Sequence, residues 1–127
     1  MKTKSMALES QMSLREAANI VNAGFAKMKA QVEAIEASSN PLDQLDGEAD
    51  IAVVGRRATM MNLWAVQVYL FDMGEKCGIE MVALGEGGFT RAMHGPRNTV
   101  SLTKSVQKME SLVADLRARD PRAQLID

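Results

Sequence analysis

The residues best suited to bind a ligand are gathered in one glycine-rich stretch, 85–99, which contains Arg91, His94 and Arg97. Two guanidinium groups, the chain's only histidine and the backbone amides of the helix predicted to follow could together hold a phosphate or a carboxylate. The glycines match neither the dinucleotide-binding fingerprint nor the P-loop, because no Gly-Lys-Ser/Thr follows them. A solvated connector is therefore the simpler interpretation, and a weak anion site is the alternative.

A second pair of cations, Arg56 and Arg57, lies within the most hydrophobic part of the chain. Such arginines could bind an anionic substrate inside a small helical protein, or they could form ion pairs with carboxylates of this chain or of a partner. Surface or interhelical ion pairs are the simpler interpretation. The anion-binding alternative therefore uses five residues, which are Arg56, Arg57, Arg91, His94 and Arg97.

The sequence predicts no catalytic residues, no metal ligands and no cofactor. A metal site usually needs three or four convergent ligands, and His94 has neither a second histidine nor a cysteine close to it in sequence. Cys77 is the only cysteine, so a disulfide within the chain is excluded. We expect Cys77 to be a small core residue.

Charge and hydropathy disfavour two classes of protein. The net charge is −1 and the isoelectric point is about 5.9, which weakens nucleic-acid binding because affinity for phosphates grows with the number of cationic contacts. The uncharged stretch between Arg57 and Asp72 is shorter than the roughly 20 residues of a membrane span. The N-terminus lacks the unbroken apolar stretch of a cleavable signal, and with a single cysteine this predicts a cytoplasmic location.

The elements that must position these residues are predicted to be helices, because two apolar seams advance in steps of four and three residues. Ser13 and Glu16 have capping-box spacing, which begins the first helix, and the breaker residues 38–41 end it. Helices are therefore predicted over about 13–37 and about 100–119. The seams consist of Leu14, Ala18, Val21, Phe25, Met28, Val32 and Ile35, and of Leu102, Val106, Met109, Val113 and Leu116.

Gly24 lies inside the first seam. A glycine within a helix costs about 1 kcal/mol relative to alanine. Two interpretations stay open: another helix crosses closely at Gly24, or the glycine is simply tolerated.

A third helix is predicted over about 48–75. Its stretch 58–71 is apolar nearly all round, which indicates a central helix or one at an oligomer interface. Residues 68–71 also have strand propensity, but the flanking Ala, Met, Leu and Gln residues favour a helix. Residues 79–84 are left open between a continued helix and a short edge strand.

Together these patterns predict one all-α domain, residues 1–127, built as an antiparallel bundle of three main helices and completed by oligomerisation. The expected function is that of a non-enzymatic assembly or interaction protein, such as a secretion-apparatus subunit or chaperone, an adaptor or an inhibitor. It would associate through its heptad faces with itself or with another helical protein. The alternatives are a small anion-binding protein or enzyme using the stretch 85–99, and a DNA-associated regulator. The interface candidates are Phe25, Met28, Trp64, Tyr69 and Met109.

Overall fold

A computed structural model describes residues 3–34, 50–58, 63–85 and 101–126. These residues form an antiparallel sheet of six strands and two helices. In chain order the elements are β1 (Thr3–Ser10), α1 (Leu14–Lys27), β2 (Gln31–Ala34), β3 (Ile51–Ala58), β4 (Leu63–Asp72), β5 (Cys77–Leu84), α2 (Leu102–Arg119) and β6 (Gln124–Ile126). The strands lie in the sheet in the order β2-β3-β4-β5-β1-β6, so the first strand of the chain pairs with β5.

The prediction of an all-α, coiled-coil-like helical bundle is therefore wrong. The helix predicted over 48–75 is replaced by β3 and β4 in its described part, and residues 79–84 belong to strand β5. The physical reason is that β4 lies between two strands and is buried on both faces. A strand of this kind is a continuous apolar run, and periodicity cannot distinguish such a run from a buried helix.

The two helices that do form begin where the sequence predicts. Ser13 caps α1, because its Oγ accepts a hydrogen bond from the Glu16 N–H at 3.1 Å, and Ser101 caps α2 in the same way through the Lys104 N–H. However, α1 ends ten residues before the predicted end at 37. Lys29 has a φ of 60°, a left-handed conformation that ends the helix and turns the chain into β2.

Both helices pack on one face of the sheet, which we call the helix face. The core between them includes Val21 and Phe25 of α1, Trp64 of β4, and Met109 and Leu112 of α2. The Phe25 and Trp64 rings are stacked, with their centroids 6.4 Å apart. The apolar seams of the two helices are therefore used largely within the chain's own core.

Glycine allows a close approach of the two helices. A Cβ atom placed on Gly24 of α1 would lie 2.6 Å from Leu112 Cδ2 of α2, closer than real Cβ contacts. The close helix crossing, one of the two interpretations of this glycine, is therefore confirmed.

Asp120 joins the end of α2 to the junction between β1 and α1. Its Oδ2 accepts hydrogen bonds from the Ser10 hydroxyl at 2.7 Å and from the Gln11 N–H at 3.1 Å, and its Oδ1 accepts one from the Arg122 N–H at 3.1 Å. These hydrogen bonds, led by that from Ser10, hold the pKa of Asp120 below its usual value. The carboxylate therefore stays ionised at neutral pH and fixes the far end of β1.

Candidate functional site

Of the five residues of the predicted anion site, the described structure contains Arg56 and Arg57. Arg91, His94 and Arg97 lie outside the described residues. Arg56 and Arg57 are neighbours on β3 and therefore point to opposite faces of the sheet. Arg56 forms an ion pair with Glu33 of the adjacent β2, and Arg57 Nη1 donates a hydrogen bond to the Lys29 carbonyl at 3.3 Å.

The interface candidates lie mostly inside the chain's own core. Phe25, Trp64 and Met109 are fully buried on the helix face, and Met28 packs against the same cluster with partial exposure. Tyr69 is also fully buried but lies on the other side of the sheet, because it is five residues from Trp64 on the same strand. Among these five side chains, Tyr69 alone points away from the helices.

The face opposite the helix face, here called the second face, has a polar centre. Strand register places Tyr69 of β4 directly beside Glu80 of β5, and Gln67 lies two residues from Tyr69 on the same face. Tyr69 and Glu80 are 0% exposed and Gln67 is 5% exposed. We call these three residues the polar strip.

The polar strip is surrounded by buried apolar side chains of the second face. They belong to the central strands β3, β4 and β5, so the strip is held by the most extensively paired part of the sheet. These neighbours are Ala52, Val54, Ala65, Phe71, Val82 and Leu84. A polar group in such surroundings keeps little contact with water, so its stability depends on finding a hydrogen-bond partner.

Among the oxygens of the polar strip, those of Tyr69 and the Gln67 side-chain carbonyl have no such partner. The Tyr69 hydroxyl and Gln67 Oε1 are buried and make no hydrogen bond to any described group. A buried polar atom left in this state costs about 1–3 kcal/mol of stability. Because most buried polar atoms in proteins are satisfied, two such atoms on one face of one strand make the polar strip the candidate site.

The ionisation of Tyr69 decides which role its hydroxyl can take. Burial, and then the negative charge of Glu80, raise the pKa of Tyr69 to about 12. The phenol therefore stays protonated at physiological pH and can donate a hydrogen bond. Gln67 Oε1 beside it is an acceptor, so the strip offers one donor and one acceptor to the same molecule.

The other polar features of the described residues do not form a comparable site. Cys77 is a buried core residue, as predicted, and burial followed by the charge of Asp72 raises its pKa to about 11, so its thiol stays protonated. A surface cleft of about 430 Å³ is lined by Glu9, Gln11, Lys76 and Arg122. Lys76 and Glu9 lie 3.9 Å apart there, and all four side chains reach solvent.

Comparison with known proteins gives no function for the polar strip. The chain matches no protein-family model, and no curated protein matches it. Within the described ranges, no three His, Cys, Asp or Glu side chains come together in a way that could hold a metal ion. In the same ranges, no helix is long and apolar enough to cross a membrane.

Sequence reasoning missed two of the three residues of the polar strip. From the sequence alone, Gln67 is a polar interruption of a predicted apolar helix. Glu80 is one position of the segment 79–84, which the sequence leaves open between helix and strand. The available signal was the placement of Glu80 between Ile79 and Met81, inside an apolar run. That placement alone does not bury Glu80, because an apolar-polar-apolar alternation also fits a half-exposed strand. Its pairing with Tyr69 also requires the register of β4 and β5.

Proposed function

We propose that the protein is a non-enzymatic binding protein that holds a small organic molecule against the polar strip. The observation that supports this function is the pair of buried oxygens, the Tyr69 hydroxyl and Gln67 Oε1, without a hydrogen-bond partner. A molecule that hydrogen-bonds to both removes their cost in the bound state, and this gain contributes to its affinity.

The position of the strip suits a binding site. Gln67 and Tyr69 lie on β4, which is paired along its length with β3 and β5, and Glu80 lies on β5 between β4 and β1. Groups on central strands move little, so a ligand finds donor and acceptor already in place. Folding already restricts the motion of these side chains, so binding adds little further entropic cost.

Whether Tyr69→Phe raises or lowers the stability of the ligand-free protein tests this function. Tyr69→Phe keeps the ring and removes the unpartnered hydroxyl. For protein freed of ligand by unfolding and refolding, we expect the free energy of unfolding in urea to rise by about 1 kcal/mol, because a buried group without a partner is removed. An increase in stability on loss of a polar group marks a group that serves binding and not folding.

Ser105→Ala is the matched control. Ser105 is also fully buried, but its Oγ accepts a hydrogen bond from the Ala65 N–H at 3.0 Å. Removing it leaves a buried N–H without a partner, so we expect a loss of about 1–3 kcal/mol. If Tyr69→Phe lowers stability as much as Ser105→Ala does, the tyrosine hydroxyl has a partner in the free protein and the proposed function is wrong.

Association with a second copy or another helical protein stays a prediction from the sequence, as does a cytoplasmic location. The described apolar faces of both helices are largely used in the core. The large apolar side chains left exposed in the described residues are Val32 and Leu125 on the two outermost strands and Met73 in a turn. An interface would therefore use a sheet edge and not a heptad face.

A further inference from the structure

We infer that the open surface cleft at one end of the sheet binds a small zwitterion with an ammonium and a carboxylate on the same carbon atom, the chemistry of a free α-amino acid. This second site does not depend on the proposed function of the polar strip. Unlike the strip, the cleft is open to solvent, and its volume of about 430 Å³ lies in the range of small-molecule sites, about 300–1,000 Å³. It is lined by Glu9, Gln11, Lys76 and Arg122.

Two of the lining residues are fixed by the sheet and by a turn. Glu9 lies on β1, where it pairs with Gly78 of β5 and with Gln124 of β6. Lys76 directly precedes β5, and its carbonyl accepts a hydrogen bond from the Met73 N–H at 2.9 Å. The backbone of both residues is therefore in place before a ligand arrives.

Asp120 fixes the backbone of the other two. Its Oδ2 accepts a hydrogen bond from the Gln11 N–H and its Oδ1 accepts one from the Arg122 N–H, both at 3.1 Å. A third hydrogen bond, from the Ser10 hydroxyl, ties the same carboxylate to the end of β1. One side chain thus sets the positions of two lining residues that are 111 positions apart in the sequence.

The charged groups of the cleft are available to a ligand. Lys76 Nζ and Glu9 Oε1 are 3.9 Å apart, which is beyond hydrogen-bond distance. Within the described residues, the Arg122 guanidinium makes no hydrogen bond and no ion pair. An ammonium, a guanidinium and a carboxylate therefore face the same open space with unused donors and acceptors.

The spacing of Lys76 and Glu9 suits an α-amino acid. The ammonium nitrogen and a carboxylate oxygen of such a molecule are about 3 Å apart by standard bond lengths, close to the 3.9 Å between Nζ and Oε1. With its carboxylate beside Lys76 and its ammonium beside Glu9, each charge has unlike charges as its neighbours. The Arg122 guanidinium and the Gln11 amide are further donors for the carboxylate.

The balance of charge favours a zwitterion over a simple ion. Two cations, Lys76 and Arg122, lie near two carboxylates, Glu9 and Asp120, and the positive charge of Arg122 is one of the causes that lower the pKa of Asp120. A simple anion is attracted by the cations but repelled by the carboxylates, and the reverse holds for a simple cation. A molecule with both charges gains from both sets of groups.

Three probes of similar size test this ligand class. Alanine, propionate and ethylamine share an aliphatic unit and carry both charges, the negative charge alone and the positive charge alone. Each is titrated into ¹⁵N-labelled protein at neutral pH and constant ionic strength, while the backbone amide signals of residues 9, 11, 76 and 122 are followed. We expect alanine to shift these signals with a Kd at least about threefold lower than that of either other probe, because each exposed ionic contact contributes modestly.

Glu9→Gln and a matched control locate the binding. Glu9→Gln keeps the size of the side chain and removes the charge that faces the ammonium, so alanine should lose its advantage over propionate. Glu16→Gln makes the same charge change on α1, where Glu16 is paired with Arg119. The two glutamate side chains are similarly exposed, at 32% and 36%. Glu16→Gln should leave the preference for alanine unchanged.

Three results would overturn the inference. Propionate or ethylamine binding as tightly as alanine would show that the cleft takes a simple ion. Absence of shifts in the four signals with every probe would show that it takes no such ligand. Equal loss of the alanine preference in Glu9→Gln and Glu16→Gln would show an effect of net charge. The polar strip is judged separately, by the stability of Tyr69→Phe.

Discussion

Gly55→Val is expected to lower the free energy of unfolding by about 3 kcal/mol or more, at the upper end of overpacking effects. Any Cβ on Gly55 would overlap the ring of Phe25, which lies flat against β3. The ring cannot retreat, because it is fully buried and stacked on Trp64. β3 cannot retreat either, since it is paired with β2 and β4. Urea denaturation followed by circular dichroism measures the change.

A double variant isolates the clash. Phe25→Ala alone leaves a cavity and should cost about 3–5 kcal/mol. In the Phe25→Ala background, Gly55→Val fills part of that cavity, so its additional cost should fall to below about 1 kcal/mol. Additive losses in the double variant would show that the two residues do not touch.

The second large effect is a difference in stability between two aspartate substitutions, made at two positions of the first apolar seam. Phe25 and Val32 both belong to the first apolar seam, seven residues apart. Phe25 lies in the core, whereas Val32 lies on the edge strand β2 with 41% of its surface exposed. Phe25→Asp buries a charge without a partner and should cost several kcal/mol, enough to unfold a marginally stable domain. Val32→Asp should change stability by about 0.5 kcal/mol or less.

Melting temperature and circular dichroism measure both variants side by side. A continuous helix over 13–37 would require the two aspartates to be similarly destabilising. Comparable loss of structure in Phe25→Asp and Val32→Asp would therefore contradict the end of α1 at Lys27 and restore the longer helix.

The parts of the fold that sequence predicts are those fixed by local interactions. Ser13 marks the start of α1 because its side chain bonds to a backbone N–H three residues ahead, and Asp120-Pro121 marks the end of α2. Each of these signals acts within a few residues, so it can be read without knowledge of the rest of the chain.

The sheet could not be predicted in the same way. In β4 the side chains on both faces are apolar and buried, so the alternation that marks a half-exposed strand is missing. The first apolar seam also continues from Met28 to Val32, past the end of α1. Lys29 adopts the left-handed conformation there, although lysine is not a residue type that favours it. The partner of β1 is β5, with paired residues from 67 (Ser10 and Cys77) to 81 (Thr3 and Leu84) positions apart, and no local pattern encodes such a pairing.

The polar strip was hidden for the same reason. Gln67 and Tyr69 share a face only if 63–72 is a strand, and Glu80 joins them only through the register of β4 with β5. Read as a helix, the same residues lie on different sides, and Gln67 is an isolated polar position. The site is therefore a property of strand pairing and not of any motif.

A crystal structure of the protein purified without unfolding tests the central claim most directly, through the distances from the Tyr69 hydroxyl and Gln67 Oε1 to their nearest polar atoms. We expect an acceptor atom of a bound small molecule within about 2.5–3.0 Å of the hydroxyl and a donor atom of the same molecule within about 2.7–3.2 Å of the glutamine oxygen. Protein groups hydrogen-bonded to both oxygens, with no ligand beside them, would contradict a binding site on this face of the sheet.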